Sequence, residues 1–175
     1  FFSRENIDYQ ANYTKRYDVL KTIEPLFLED LANCCEKGKD DLDSLRGVLL
    51  RIERMKFLDP ACSTGNFLVV VFKELRRLEE KVTKHIEALG GSTGKVPSRI
   101  RLGSFYGIER KRVPRLIAIL SLWIAEQQEN LKQAKTSSKG CFSAERRRFI
   151  PSSTNFSNLT LVTRRCGVLF QPIRL

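Results

Sequence analysis

The chain has 175 residues, of which 42% are hydrophobic and 29% are charged. This composition is typical of a globular protein with a core and excludes a wholly disordered or fibrous chain. No apolar run approaches the roughly 20 residues that cross a bilayer, so we expect no membrane association. The 31 Lys and Arg against 20 Asp and Glu give a net charge of +11.

Two features predict a cytoplasmic protein with reduced thiols. The five cysteines are scattered and form no Cys-x-x-Cys pair. The first residues, Phe1-Phe2-Ser3-Arg4, lack the charged-then-apolar order of a secretory signal. Because they also lack an initiator Met, we expect the chain to begin inside a longer protein.

Two helical regions are predicted ahead of the first strand. Apolar side chains recur at helical spacing over residues 17–35, and Pro25 within this pattern should kink or divide the helix. A polar turn at residues 36–41 leads to a second helix with apolar positions over residues 42–52. Either Asp40 or Asp41 is the expected N-cap of that helix.

Residues 57–68 form the most informative stretch. A short apolar strand ends on Asp59, a turn of small residues follows, and a helix is predicted over about residues 65–89. Such a strand–turn–helix unit opens nucleotide-binding α/β domains, because ligands lie outside the carboxyl ends of parallel strands. Small turn residues let the backbone approach a ligand, and the first helix amides point to the same place.

A second strand is predicted over residues 104–108 and ends on Glu109. The helix after it has Pro114 in its first turn. We interpret Trp123 as a core residue on an apolar side of this helix that it shares with Leu116, Ile119 and Leu120.

The last quarter of the chain differs in character. Residues 131–175 hold nine Lys or Arg and a single acid, Glu145, so most of the net charge lies there. They show no sustained period and many Ser, Thr and Asn residues. This tail is either a native basic arm for nucleic acid or out-of-frame translation after a frameshift, and we favour the second interpretation.

Three ordered segments resemble one protein family. The stretch Asp59-Pro60-Ala61-Cys62-x-x-Gly65-Asn66-Phe67-Leu68 resembles the S-adenosylmethionine motif of adenine-specific DNA methyltransferases of restriction–modification systems. It is most similar to the large single-chain type that carries methylation and restriction together. Upstream, Ala11-Asn12-Tyr13-Thr14 resembles the family's Tyr-Thr signature. Downstream, residues 105–109 and 116–130 resemble the second strand and its helix.

The resemblance implies an α/β fold, with parallel strands flanked by helices. The implied fold is an incomplete, partial Rossmann-like methyltransferase fold with N-terminal helices ahead of the first strand. Residues 1–130 would form the N-terminal part of the S-adenosylmethionine-binding domain. Residues 131–175 would be the basic tail, disordered or out of frame.

The resemblance also implies S-adenosylmethionine as the cofactor and assigns ten residues to its site: Tyr13, Thr14, Asp59, Pro60, Ala61, Cys62, Gly65, Asn66, Phe67 and Glu109. Asp59 would meet the amino group of the cofactor, and Glu109 its ribose hydroxyls. Each acid also has a plain structural interpretation. An Asp before Pro commonly opens a turn, and Glu109 could pair with the basic residues that follow it.

Ser63 departs from the family, which usually has Gly at that position. Its Cβ would crowd the ligand if the turn needs a positive φ.

No catalytic residue or metal ligand is assigned, because the family's Asn-Pro-Pro-aromatic motif does not occur in the chain. The resemblance therefore implies a fragment of a site-specific adenine-N6 DNA methyltransferase that is inactive alone. Double-stranded DNA would be bound through regions mostly absent from this chain. The main alternative is a non-catalytic basic nucleic-acid-binding protein, and a methyltransferase acting on RNA or protein is a third.

Overall fold

The computed structural model describes residues 14–92, 98–137 and 161–162. Within these ranges the protein is mostly helical, with a small parallel sheet. The helices are α1 (Arg16–Ile23), α2 (Glu29–Lys37), α3 (Leu42–Arg54), α4 (Asn66–Ala88) and α5 (Arg112–Ser137). The strands are β1 (Phe57–Asp59), β2 (Phe105–Ile108) and β3 (Leu161–Val162), and a short 3₁₀ turn, Leu102–Ser104, precedes β2. None of the described helices is long and apolar enough to span a membrane.

Pro25 divides the first helical region, as predicted. Between α1 and α2 the backbone forms a π-helical turn, Glu24–Leu28, in which the amide of Glu29 donates to the carbonyl of Glu24. Proline has no amide hydrogen and its ring clashes with the carbonyl four residues earlier. The wider π turn accommodates the ring without ending the helical run.

Asp41 is the N-cap of α3, one of the two residues predicted for that role. Its carboxylate accepts hydrogen bonds from the amide of Asp43 at 3.2 Å and from that of Ser44 at 3.0 Å. These bonds satisfy two of the amides that a helix start leaves without intrahelical partners.

The three strands run parallel in the order β1-β2-β3. The register places Phe57 beside Phe105 and Asp59 beside Gly107, and Gly107 beside Leu161 of β3. Parallel neighbours need a crossover between them, and α4 and α5 provide the two crossovers. The observed β1, α4 and β2 lie within one residue of their predicted bounds.

An aromatic cluster fixes α4 on the sheet. The rings of Phe57 and Phe105 stack with centroids 5.2 Å apart, and Phe72 of α4 meets Phe105 edge-on at 5.6 Å. Phe27, from the π-helical turn, packs on Phe57 at 5.2 Å and joins the N-terminal helices to the same core. Tilted and offset ring pairs at these distances add to the stabilisation from buried area.

Buried polar contacts join α4 to its surroundings. Arg76, only 5% exposed, donates to Asn130 and Gln133 of α5, both at 3.0 Å. Glu79, also 5% exposed, accepts from the hydroxyl of Ser98 and, at 2.6 Å, from the amide of Arg99. These contacts hold α5 and the segment before β2 against one face of α4.

The predicted core face of α5 is wrong. The side facing α4 carries Ala118, Leu122 and Ala125, whereas Leu116 and Leu120 are half exposed and Trp123 is half-buried. The helix approaches α4 closely at Ala118, so small side chains and not the largest ones define the packed side. Residues 116–124 are apolar almost all round, so their periodicity does not identify a face.

Candidate functional site

The two acids singled out from the sequence lie at one edge of the sheet. Asp59 ends β1, and its register partner Gly107 is two residues before Glu109, which follows β2. Adjacent strands are about 4.8 Å apart, so the two carboxylates occupy neighbouring positions at the carboxyl ends of parallel strands. Both residues are partly exposed, which leaves them accessible to a ligand.

Cys62 lies in the turn that follows Asp59. Its amide donates to the carbonyl of Ile108 at 3.1 Å, which joins the turn after β1 to the end of β2. The residue is 3% exposed, and its pKa is raised to about 11 by burial and then by the negative charges of Asp59 and Glu109. The thiol therefore stays protonated at neutral pH and is a poor nucleophile.

Each acid uses one oxygen to hold its own turn. Asp59 Oδ1 accepts from the amide of Ala61 at 3.0 Å, and Glu109 Oε1 accepts from the amide of Lys111 at 2.7 Å. Among the described residues none donates to the second oxygen of either acid. The turn-opening role of Asp59 is therefore observed, and the described residues leave one oxygen of each carboxylate without a donor.

The turn between β1 and α4 has an unusual backbone. Ser63 has φ +47° and Gly65 has φ +80°, both in the left-handed region. Ser63 thus has the positive φ at which its Cβ is expected to crowd a ligand. Left-handed geometry costs a residue with a Cβ about 1 kcal/mol or more, whereas glycine adopts it freely.

Gly65 has a second requirement that the sequence did not reveal. A Cβ at this position would lie 2.8 Å from Cβ of Ala118 and 3.0 Å from its Cα. The close approach predicted for Gly65 is therefore, at least in part, an approach to α5. In the sequence, the only sign of this contact is Ala118 itself, which is a small residue among large apolar ones.

Thr14 lies beside the turn. Its carbonyl accepts a hydrogen bond from the side-chain amide of Asn66, the first residue of α4. Thr14, from the predicted upstream segment, thus contacts Asn66, from the predicted turn segment. Tyr13 lies outside the described residues.

The remaining predicted site residues divide into two groups. Pro60 and Ala61 are exposed on the turn, next to Asp59. Phe67 is half-buried and packs against the core, so its side chain contributes to the fold. The structure therefore brings together the described site residues other than Phe67, namely Thr14, Asp59, Pro60, Ala61, Cys62, Gly65, Asn66 and Glu109.

Two open hollows lie along α3, lined by residues such as Gly47 and Arg51, and neither includes Asp59 or Glu109. In residues 14–92, 98–137 and 161–162, no three His, Cys, Asp or Glu side chains group as metal ligands would. His85, half-buried, has Nδ1 3.7 Å from Sγ of Cys35, a thiol whose pKa is raised by burial.

Comparison with known proteins identifies relatives of one kind. DNA methyltransferase A of Bacillus subtilis (strain 168) is 44% identical over 119 residues, which are 68% of this chain and 13% of that protein. The solved structure of the type IIL restriction–modification enzyme MmeI in complex with DNA matches with a TM-score of 0.64 and 35% identity. This match covers 71% of this chain and 17% of the MmeI chain.

The chain thus spans less than a fifth of the length of these relatives. The model of the family described as "MmeI, DNA-methyltransferase domain" matches residues 35–153. The match includes β1, the turn, α4, β2, Glu109 and α5, and it continues past the boundary predicted at residue 130. A match over more than half of the chain shows that this protein belongs to the MmeI DNA-methyltransferase domain family.

Proposed function

We propose that this chain forms the S-adenosylmethionine-binding part of a Rossmann-like domain that methylates N6 of adenine in DNA. One observation carries the proposal: Asp59 and Glu109 end adjacent parallel strands, and each keeps a carboxylate oxygen that no described residue uses. Ligands of open parallel sheets bind at this edge. Family membership supports DNA methylation as the activity of the whole protein.

The residues at the edge fit the charge and shape of the cofactor. The free oxygen of Asp59 can accept from its amino group, directly or through water, and that of Glu109 from the two ribose hydroxyls. The exposed turn residues Pro60 and Ala61 offer backbone close to these acids. When bound, the cofactor supplies an electrophilic methyl group on a sulfonium. The residues at this edge contribute binding and orientation of the cofactor.

The 175-residue chain is proposed to be inactive on DNA by itself. Adenine must be flipped out of the duplex and its amino group held by polar acceptors before transfer. The family assigns that grip to an Asn-Pro-Pro-aromatic segment, and Asn-Pro-Pro does not occur in this sequence. DNA binding and target choice accordingly belong to other regions of the whole protein.

Isothermal titration calorimetry with S-adenosylmethionine tests the cofactor site. The informative variants are Asp59→Asn and Glu109→Gln, because an amide oxygen can still accept the turn hydrogen bond while the charge is lost. A charge-assisted bond contributes about 1.5–3 kcal/mol, so each variant should bind roughly tenfold to a hundredfold more weakly. Glu87→Gln, an exposed acid on α4, is the matched control. Unchanged affinity in both site variants would refute the proposed site.

A further inference from the structure

Three arginines follow Glu109 at the carboxyl edge of the sheet, and we call them the arginine cluster. Arg110 and Arg112 are exposed, and Arg115 is half-buried near the start of α5. None of the three forms an ion pair with an acid in the part of the chain that the structure describes. Other exposed arginines do pair with acids. The arginine cluster therefore presents positive charge that the described fold leaves uncompensated.

The charge of the arginine cluster is not balanced along the chain either. Residues 110–125 hold three Arg, one Lys and no acid, and the next acid after Glu109 is Glu126. Arg112 and Arg115 are three residues apart, so they share one side of α5, where like charges destabilise a helix. Proteins keep such a conflict between sequence and stability mainly where it serves a function. The cluster thus indicates a site for an anion.

The proposed cofactor is not that anion. S-adenosylmethionine carries a sulfonium and an ammonium against a single carboxylate, so it is cationic overall and the arginine cluster repels it. The methyl acceptor of the proposed function has the opposite charge, because DNA carries a phosphate at every nucleotide. The planar guanidinium of arginine also matches the geometry of phosphate oxygens. Charge and shape both favour the backbone of the acceptor DNA.

The arginine cluster is held by the same turn as the acid proposed to bind the ribose. The amide of Lys111, which lies between Arg110 and Arg112, donates to Glu109 Oε1 at 2.7 Å. A base that receives the methyl group must approach the cofactor at this edge, and its phosphates come with it. The cluster is therefore placed beside the path of the acceptor strand.

We propose that the arginine cluster binds backbone phosphates of the DNA next to the adenine that is methylated. This proposal rests on the proposed function, because it needs the cofactor at the edge formed by Asp59 and Glu109. Phosphate contacts position the duplex and carry no sequence information. The cluster accordingly adds to the DNA contacts of other regions of the whole protein and leaves target choice to them.

Fluorescence anisotropy of the 175-residue chain with a labelled DNA duplex, measured from about 50 to 200 mM NaCl, tests the phosphate contacts. In Arg110→Gln/Arg112→Gln the slope of log affinity against log salt should fall in magnitude by about two, one for each lost contact. The same reduction is expected on duplexes of different sequence, because the contacts are to the backbone.

Arg54→Gln/Arg101→Gln is the matched control. It also removes two exposed arginines that have no ion pair with the described residues, but these precede β1 and β2 and so lie towards the opposite edge of the sheet. The control should keep the wild-type slope. An unchanged slope in Arg110→Gln/Arg112→Gln, or an equal reduction in both double variants, would overturn the proposal.

Calorimetry with two small ligands separates the DNA backbone from other anions. Inorganic phosphate at millimolar concentration should show no saturable binding to the wild type, because it lacks the neighbouring charges of a strand. Saturable phosphate binding that Arg110→Gln/Arg112→Gln loses would identify a site for free anions and would overturn the proposal.

The second ligand is S-adenosylmethionine. It should bind Arg110→Gln/Arg112→Gln at least as tightly as the wild type, and weaker binding would assign the arginines to the cofactor instead. A wild type that binds no cofactor would refute the proposed function, whereas the comparison of salt slopes decides the DNA contact separately.

Discussion

Replacing Gly65 by alanine tests why the turn between β1 and α4 needs a glycine. Two costs are expected, one from the backbone and one from packing. The backbone has φ +80°, where an added Cβ costs about 1–2 kcal/mol, and the lower entropy of the unfolded alanine chain returns about 0.4–1 kcal/mol. The packing cost comes from Ala118, whose Cβ would lie 2.8 Å from the new methyl group.

Gly90 offers a matched control for the packing cost alone. Its φ is +75°, nearly the same as that of Gly65, but an added Cβ would have nothing within 4 Å. Gly90→Ala should therefore change the free energy of unfolding by no more than about 1–2 kcal/mol. Gly65→Ala should cost a further 1–3 kcal/mol or so, the usual range for overpacking against a fixed neighbour.

Urea unfolding followed by circular dichroism at 222 nm measures both variants. A second arm adds Ala118→Gly to each of them, since removing the Cβ of Ala118 relieves the shorter contact with Gly65→Ala only. The double variant with Gly65→Ala should show a favourable coupling energy, and the one with Gly90→Ala should show none. Equal losses of stability in Gly65→Ala and Gly90→Ala would refute the packing argument.

Three further predictions concern Ser63, Cys62 and the buried Arg76–Glu79 pair. Ser63→Gly should raise the free energy of unfolding by up to about 1 kcal/mol, because it removes a Cβ from a residue at φ +47°; a loss in urea unfolding would contradict this. Alkylation of Cys62 by iodoacetamide, followed by mass spectrometry, should be slow at pH 8 and rise only as the pH approaches 11. Because the pKa of Cys62 is raised to about 11 in the folded state, the protonated thiol contributes fully to the free energy of unfolding below pH 9, and this contribution disappears between about pH 9 and 11. The free energy of unfolding of Cys62→Ala should therefore fall less steeply over this pH range than that of the wild type. Arg76→Met should lower the free energy of unfolding by about 3 kcal/mol, since it leaves the buried Glu79 without its cation; a loss under 1 kcal/mol in urea would show that the contact is dispensable.

Local chemistry made the first half of the fold predictable. Pro25 divides its helix and Asp41 caps the next one because proline geometry and carboxylate capping act within a few residues. The placement of Asp59 and Glu109 at one edge of the sheet was also accessible from the sequence, since the carboxyl ends of parallel strands share that edge. In these cases the determining contacts are close in sequence or follow from strand direction alone.

The orientation of α5 was not accessible in the same way. Its central residues are apolar on nearly every side, so no pattern distinguishes the face on α4 from the face that carries Leu116 and Leu120. The decisive contact joins Gly65 to Ala118, which are far apart in the chain. The bond from the Cys62 amide to Ile108 and the contact of Glu79 with the Arg99 amide are likewise long-range and leave no mark on local periodicity.

Asp59 holds its own turn and is also proposed to bind the ligand. A test of its role must therefore separate these two functions. One oxygen holds the amide of Ala61 and shapes the turn, and no described residue donates to the other oxygen, which is the one proposed to bind the ligand. Asp59→Ala removes both functions, so lost binding in that variant would not distinguish a collapsed turn from a missing ligand contact. Asp59→Asn keeps an acceptor for Ala61 and removes the charge. If Asp59→Asn unfolds in urea like the wild type but binds S-adenosylmethionine more weakly, the loss belongs to the ligand contact, because the turn is intact.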